Sequence, residues 1–130
     1  MYINFVFNQM TALRYFMPLV IEGNKRGIKS KFFVKECGKY NCVRRNSQAL
    51  EDMSNKYKFL IFPLSELVDH PLGPTFFAED HCLYESSSIK NKKYVITTMT
   101  DFTLIYNKPE DDERPGIYIN YCDHVIFLSK

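Results

Sequence analysis

The sequence predicts an α/β fold: an open, doubly wound parallel sheet of about six strands, Rossmann-like in order, with residues 1–130 forming one domain. Three observations predict it. Strand-like segments alternate with helices or long crossovers, and parallel strands need such crossovers because a tight hairpin cannot join them. The strand segments are nearly continuous apolar runs, which suits a sheet covered on both faces. A chain of 130 residues that is 45% hydrophobic is the right size for a single domain and rich enough to bury a core.

Residues 2–7 (Tyr-Ile-Asn-Phe-Val-Phe) are β-branched and aromatic and read as a buried first strand. Asn8 and Thr11 follow, and both can cap free backbone N–H groups at a helix start. A helix is expected over 12–26, where Leu13, Phe16, Met17, Val20 and Ile21 lay an apolar stripe on one side. Pro18 requires a kink or a fresh helix start, because proline lacks the N–H and clashes with the preceding turn. Gly27 closes the helix in the left-handed conformation that glycine adopts at little cost.

Residues 31–36 read as a second strand and 38–45 as a polar loop. Asn46 and Ser47 can cap a short helix through about residue 56. A third strand is expected over 58–62. The proline-rich stretch 63–74 is a loop with one helical turn around 65–68. Residues 75–78 form a fourth strand, 80–88 a short helix, and 93–98 a fifth strand. A charged loop over 107–116 precedes one or two helical turns at 117–122, and 125–128 is the sixth strand.

Charge, cysteines and termini exclude several classes. Seventeen basic side chains against 15 acidic ones give a net charge of +2. That balance argues against general nucleic-acid binding, which needs a basic face to replace counterions. No apolar run approaches the ~18 residues of a membrane span. Residues 1–9 have no cationic flank and no small-residue cleavage site, so no signal peptide is expected. Cys37, Cys42, Cys82 and Cys122 contain no C-x-x-C pair. Cys37 and Cys42 with His81-Cys82 fall within loose zinc spacing, but reduced thiols acting as small hydrophobes account for them more simply. The expected location is cytoplasmic, with no metal and no bound cofactor.

In doubly wound sheets the ligand crevice lies beyond the carboxyl ends of the strands. That rule selects Asn8, Gln9 and Thr11 after the first strand and Glu66 after the third. It selects Glu79, Asp80 and His81 after the fourth, and Thr98, Thr100, Asp101 and Phe102 after the fifth. Ser129 and Lys130 follow the sixth. Glu79-Asp80-His81 is the densest ionisable cluster, and a carboxylate beside an imidazole can do acid–base work near neutral pH. A polar strand end capping the next helix is the simpler alternative. The hydroxyls of Thr98 and Thr100 with Asp101 suit sugar hydroxyls, or else cap a loop. Arg14, one turn into the first helix, can grip a phosphate or carboxylate in bidentate fashion, or stand solvated. There is no G-x-G-x-x-G, P-loop, G-x-S-x-G or H-E-x-x-H, so a free-standing dehydrogenase, NTPase, hydrolase or zinc protease has no support.

The order of these pieces resembles the opening of GT-B-fold glycosyltransferases and of UDP-N-acetylglucosamine 2-epimerases. The likeness rests on the strand 2–7, a polar turn, then Ala12-Leu13-Arg14-Tyr15-Phe16-Met17-Pro18-Leu19-Val20-Ile21-Glu22 and the basic-Gly ending Lys25-Arg26-Gly27. Glu79-Asp80 stands where these families often carry a Gly-Asp pair. Tyr121-Cys122-Asp123-His124-Val125-Ile126-Phe127-Leu128-Ser129 is similar to their segment of helix, Asp, apolar strand and Pro-Ser, with Leu128 in place of the proline. Asn8-Gln9-Met10-Thr11 replaces their glycine-rich turn. The resemblance implies the amino-terminal, acceptor-side half of a glycosyltransferase, which would act with a carboxyl-terminal, donor-binding half not contained in these residues.

That resemblance implies transfer of a sugar from a nucleotide-sugar donor to a hydroxyl acceptor. Asp80 or Glu79, then Asp101, would act as base or acceptor-orienting carboxylates. Asn8, Thr11 and Arg14 would lie near the donor phosphates, with His81, Thr98 and Thr100 on the substrate. The alternative is a non-catalytic binding or assembly module, self-associating or paired with a missing half through an exposed apolar face. A flavodoxin- or receiver-like domain fits less well, because Asn8-Gln9 offers no acidic pair and Thr11 alone makes a thin phosphate loop.

Overall fold

The computed structural model describes residues 1–35, 46–70, 73–78, 86, 88–98 and 122–128, with backbone alone at 98, 127 and 128. Six strands appear in it: β1 (Tyr2–Phe7), β2 (Lys29–Val34), β3 (Phe59–Pro63), β4 (Thr75–Ala78), β5 (Lys93–Thr98) and β6 (His124–Leu128). The helices are α1 (Leu13–Lys25) and α2 (Ser47–Tyr57), with 3-10 segments at Met10–Ala12 and Leu64–Asp69. The strands form one all-parallel sheet in the order β3-β2-β1-β4-β5-β6. This is the Rossmann-like, doubly wound arrangement that the alternation of strands and crossovers predicts.

The two faces carry separate cores. Phe5, Phe7, Phe32, Val34, Phe59, Ala78 and Ile96 point to the α1–α2 side and meet Tyr15, Phe16, Val20 and Leu50. Val6, Phe33, Phe77 and Val95 point to the other side and meet Leu67 and Ile89. Helices and crossovers therefore change face between the two halves of the sheet. Parallel crossovers are right-handed, so reversing the direction of strand addition at β1 and β4 moves the connection to the opposite face.

On the helical side the strand register builds an aromatic ladder. Phe32, Phe5, Phe76, Tyr94 and His124 are consecutive register partners across five strands. Their neighbouring ring centroids lie 5.1, 5.6, 5.1 and 5.1 Å apart. Phe59 stacks on the other end, 4.1 Å from Phe32. Cross-strand aromatic pairs of this kind fix register as well as adding stability.

Several local expectations need correction. β2 starts at Lys29, not 31, because Lys29 and Ser30 pair with Tyr2 and Ile3; pairing to a central strand extends it over polar residues. It ends at Val34, opposite the last residue of β1. β3 covers Phe59–Pro63 because Lys58 takes the left-handed conformation, at φ 60°, that closes α2. Pro63 is tolerated because β3 is an edge strand. β6 begins one residue early, at His124, which pairs with Tyr94.

α1 runs through Pro18 as one helix rather than restarting there. Pro18 is exposed, while Phe16 and Val20 on either side are fully buried. Their burial offsets a proline cost of about 3 kcal/mol. Neither Asn8 nor Thr11 caps α1; the 3-10 turn leads into it, and the N–H of Leu13 bonds back to the carbonyls of Met10 and Thr11. Asn46 precedes α2 without a side-chain cap.

Gly27 behaves as expected, at φ +74°. The N–H of Ile28 bonds to the Gly23 carbonyl and that of Gly27 to the Asn24 carbonyl, at 2.8 and 3.3 Å, a Schellman closure. The expected turns over 80–88 and 117–122 fall almost wholly outside the described residues. Among those residues, no helix is long and apolar enough to cross a membrane.

Candidate functional site at the carboxyl edge of the sheet

The strand order places a topological switch between β1 and β4. β1 continues to β2 on one side, and β4 continues to β5 on the other. In doubly wound sheets the ligand crevice lies at such a point, beyond the carboxyl ends of the strands. Phe7 and Ala78 are the last residues on the two sides of it.

The segment after β1 begins at this switch point. Asn8 and Gln9 are half-buried there. Thr11 is exposed in the 3-10 turn, and Arg14 is exposed on the first turn of α1. The positive end of α1 points at the same place. Arg14 is folded onto its neighbour: its Nη2 donates to the Tyr15 hydroxyl at 2.8 Å, and its guanidinium carbon sits 4.8 Å from the Tyr15 ring centroid. The structure thus brings Asn8, Thr11 and Arg14 to one edge. A phosphate reaching Arg14 would compete with the Tyr15 hydroxyl for its N–H groups.

Thr98 ends β5 on the same edge, two strands from β1. Glu79, Asp80 and His81, which follow β4, and Thr100 and Asp101, which follow β5, lie outside the described residues, as do Cys37, Cys42 and Cys82. Glu66 lies in the Leu64–Asp69 3-10 segment, exposed, on the face opposite the helices. Among the described residues, no cluster of three His, Cys, Asp or Glu is placed to hold a metal ion. Cys122 is half-buried and in no disulfide among the described residues. Burial pushes its pKa above the usual 9.0, Asp123 adds to that rise, and Lys93 partly opposes it.

The amino edge holds a group that the carboxyl-edge rule passes over. Lys31 stands mid-strand in β2 and points to the face opposite α1. Its Nζ lies 3.0 Å from His70 Nδ1 and 4.0 Å from the Tyr2 ring centroid. The available signal was a lysine within the otherwise apolar end of a central strand, Lys-Phe-Phe-Val, where a long cation must be accommodated on a covered face. No protein family, curated protein or solved structure matches this chain.

Proposed function

We propose that this chain is the acceptor-side half of a glycosyltransferase that moves a sugar from a nucleotide-sugar donor to a hydroxyl acceptor. The observation that carries the reading is the β3-β2-β1-β4-β5-β6 order. It sets β1, which leads into Asn8–Arg14, beside β4, which leads into Glu79-Asp80-His81. In the reaction, the bond between the sugar's anomeric carbon and the donor phosphate breaks, and a bond to the acceptor oxygen forms. The acceptor's proton passes to Asp80 or Glu79, with Asp101 orienting the acceptor. The nucleoside diphosphate leaves with the electron pair, its charge offset by Arg14 and the α1 terminus. Asn8 and Thr11 lie near the donor phosphates with Arg14, and His81, Thr98 and Thr100 hold the substrate, which gains rate through proximity.

The test is thermal unfolding of the chain with UDP-glucose, UDP-N-acetylglucosamine or GDP-mannose and, separately, with simple sugar acceptors. A donor at about a hundred times its Kd adds about 2.7 kcal/mol to the folded state. One donor should raise the melting temperature in a concentration-dependent way, and Arg14→Ala should remove the rise. No shift with any donor or any acceptor sugar, or a donor shift that survives Arg14→Ala, overturns the assignment. Where turnover is measurable, Asp80→Asn should abolish it while leaving the melting temperature unchanged.

A second reading, a non-catalytic assembly module, is favoured by the open edge of the sheet. Leu60 and Ile61 on edge strand β3 are 49% and 39% exposed. An apolar edge is a template for pairing with another strand. Self-association that Leu60→Lys abolishes, together with indifference to every donor, would establish this reading instead.

A further inference from the structure

At the amino edge of the sheet, on the face opposite α1 and α2, Met1, Tyr2, Lys31, Asp69, His70, Gly73 and Pro74 enclose a pocket of about 600 Å³. It lies at the other end of the strands from the switch-point crevice. We propose that this pocket binds the phosphate group of a small ligand, gripped by Lys31 and His70.

The argument starts from Lys31. Lys31 is half-buried, and its partners are the Tyr2 ring and the His70 imidazole. No carboxylate among the described residues lies within ion-pair distance of it. Partial burial without a counterion is costly for an ammonium, and an incoming anion relieves that cost. Lys31 can only donate, so His70 Nδ1 accepts, and the ring proton of an unprotonated His70 sits on Nε2. Lys31 therefore keeps N–H groups beyond the one given to His70, and His70 keeps its Nε2–H. Apart from the Asp69 carboxylate at the rim, the side chains lining the pocket bring donors and a positive charge and no second carboxylate. Phosphate, with two charges and several acceptor oxygens, fits that deficit, and lysine suits it as a point charge.

The walls are built rather than incidental. The His70 ring is held edge-on to Phe33, 5.0 Å between centroids, and against Phe62 at 4.9 Å. Asn91, only 5% exposed, donates its amide to the carbonyls of His70 and Gly73 at 2.9 and 3.3 Å. These bonds fix both sides of the pocket before any ligand arrives, which reduces the ordering cost of binding. Asp69 is the opposing feature: exposed at the rim, it repels an anion. Asp69→Asn should therefore tighten binding.

The test is a proton NMR titration of the histidine ring signals with inorganic phosphate, against sodium chloride at matched ionic strength. His70 is distinguished from His81 and His124 by its loss in His70→Gln. The His70 signal should shift saturably with phosphate and not with chloride. Lys31→Met should weaken binding roughly tenfold or more, the loss expected for one charged hydrogen bond, and Lys31→Arg should retain it. Circular dichroism of each variant verifies the fold. A linear shift, an equal shift with chloride, or unchanged binding in a folded Lys31→Met protein overturns the proposal. The readout sits at His70, so failure here leaves the carboxyl-edge reading standing, and failure there leaves this one.

Discussion

Replacing Gly73 by alanine should destabilise the fold far more than the same change at Gly27, and the structure gives the size of the difference. Both residues have positive φ, +74° at Gly27 and +96° at Gly73. At Gly27 an added Cβ meets nothing within 4 Å. Only the backbone conformation is then at stake, about 1–2 kcal/mol. The stiffer unfolded chain returns about 0.4–1 kcal/mol. The net loss is about 0–1.6 kcal/mol. At Gly73 the same Cβ would lie 2.5 Å from the Tyr2 carbonyl oxygen and 3.4 Å from its carbonyl carbon.

Those are backbone atoms of β1, and they cannot rotate away. Relief requires moving the start of β1, where Tyr2 pairs with Lys29 and the Asn4 N–H bonds to the Pro74 carbonyl at 2.9 Å. Overpacking of this kind adds about 1–3 kcal/mol. Gly73→Ala should thus cost about 2–5 kcal/mol before the unfolded chain's return. The contribution of the unfolded chain is common to both variants and cancels in the comparison. Urea unfolding followed by circular dichroism should place the two midpoints about 1 M apart, given slopes of about 1–3 kcal/mol per molar. Coincident midpoints, or a Gly73→Ala protein as stable as the parent, would refute the reasoning from steric contact.

Two further outcomes follow from the packing and from the thiol. Phe32→Ala removes a fully buried ring that contacts Phe5, Phe7, Phe16 and Phe59, and it should cost about 3–5 kcal/mol by chemical denaturation; a loss under about 1 kcal/mol would mean the ladder is not closely packed. The raised pKa of Cys122 predicts slow iodoacetamide labelling near neutral pH in a protein whose other cysteines are serine, because little thiolate forms below its pKa. Labelling should accelerate as the pH rises above 9.0, and Asp123→Asn should speed it at a given pH by removing a charge that opposes ionisation. Asparagine keeps an acceptor for the 2.7 Å bond from the Lys93 N–H, so a rate that ignores the substitution would assign the shift to burial alone.

The topology was legible because it depends on coarse signals. Continuous apolar runs marked 75–78 and 93–98 to the residue, and crossovers of adequate length dictated a parallel sheet. What escaped depends on tertiary pairing. Lys29 and Ser30 are strand residues only because β1 lies beside them. Pro18 remains helical only because its neighbours are buried on both sides. The helix starts near Asn8 and Asn46 were located, but the capping chemistry was not, since a 3-10 turn supplies carbonyls where a side chain was expected. At the carboxyl edge, the rule about strand ends selected Asn8, Gln9 and Thr11, and Arg14 follows them on the first turn of α1. The rule cannot find Lys31 and His70, which meet across 39 residues of sequence at the opposite edge.

The two edges of this sheet are polarised by different means. At the carboxyl edge the positive potential comes from backbone geometry, through the α1 terminus, with an arginine close by that is already turned onto Tyr15. A ligand there must displace an internal contact, so its affinity measures the difference between phosphate and the Tyr15 hydroxyl as partners of Arg14. At the amino edge the charge belongs to one lysine held between a ring and an imidazole. A ligand there displaces no ion pair and completes a hydrogen-bonding deficit. Salt should therefore separate the two sites. Exposed Arg14 is screened over the ~8–10 Å Debye length of physiological buffer, whereas half-buried Lys31 is shielded from it. Raising ionic strength should weaken donor binding at the carboxyl edge more steeply than phosphate binding at His70, and equal salt slopes would mean that Lys31 is solvated like any surface lysine.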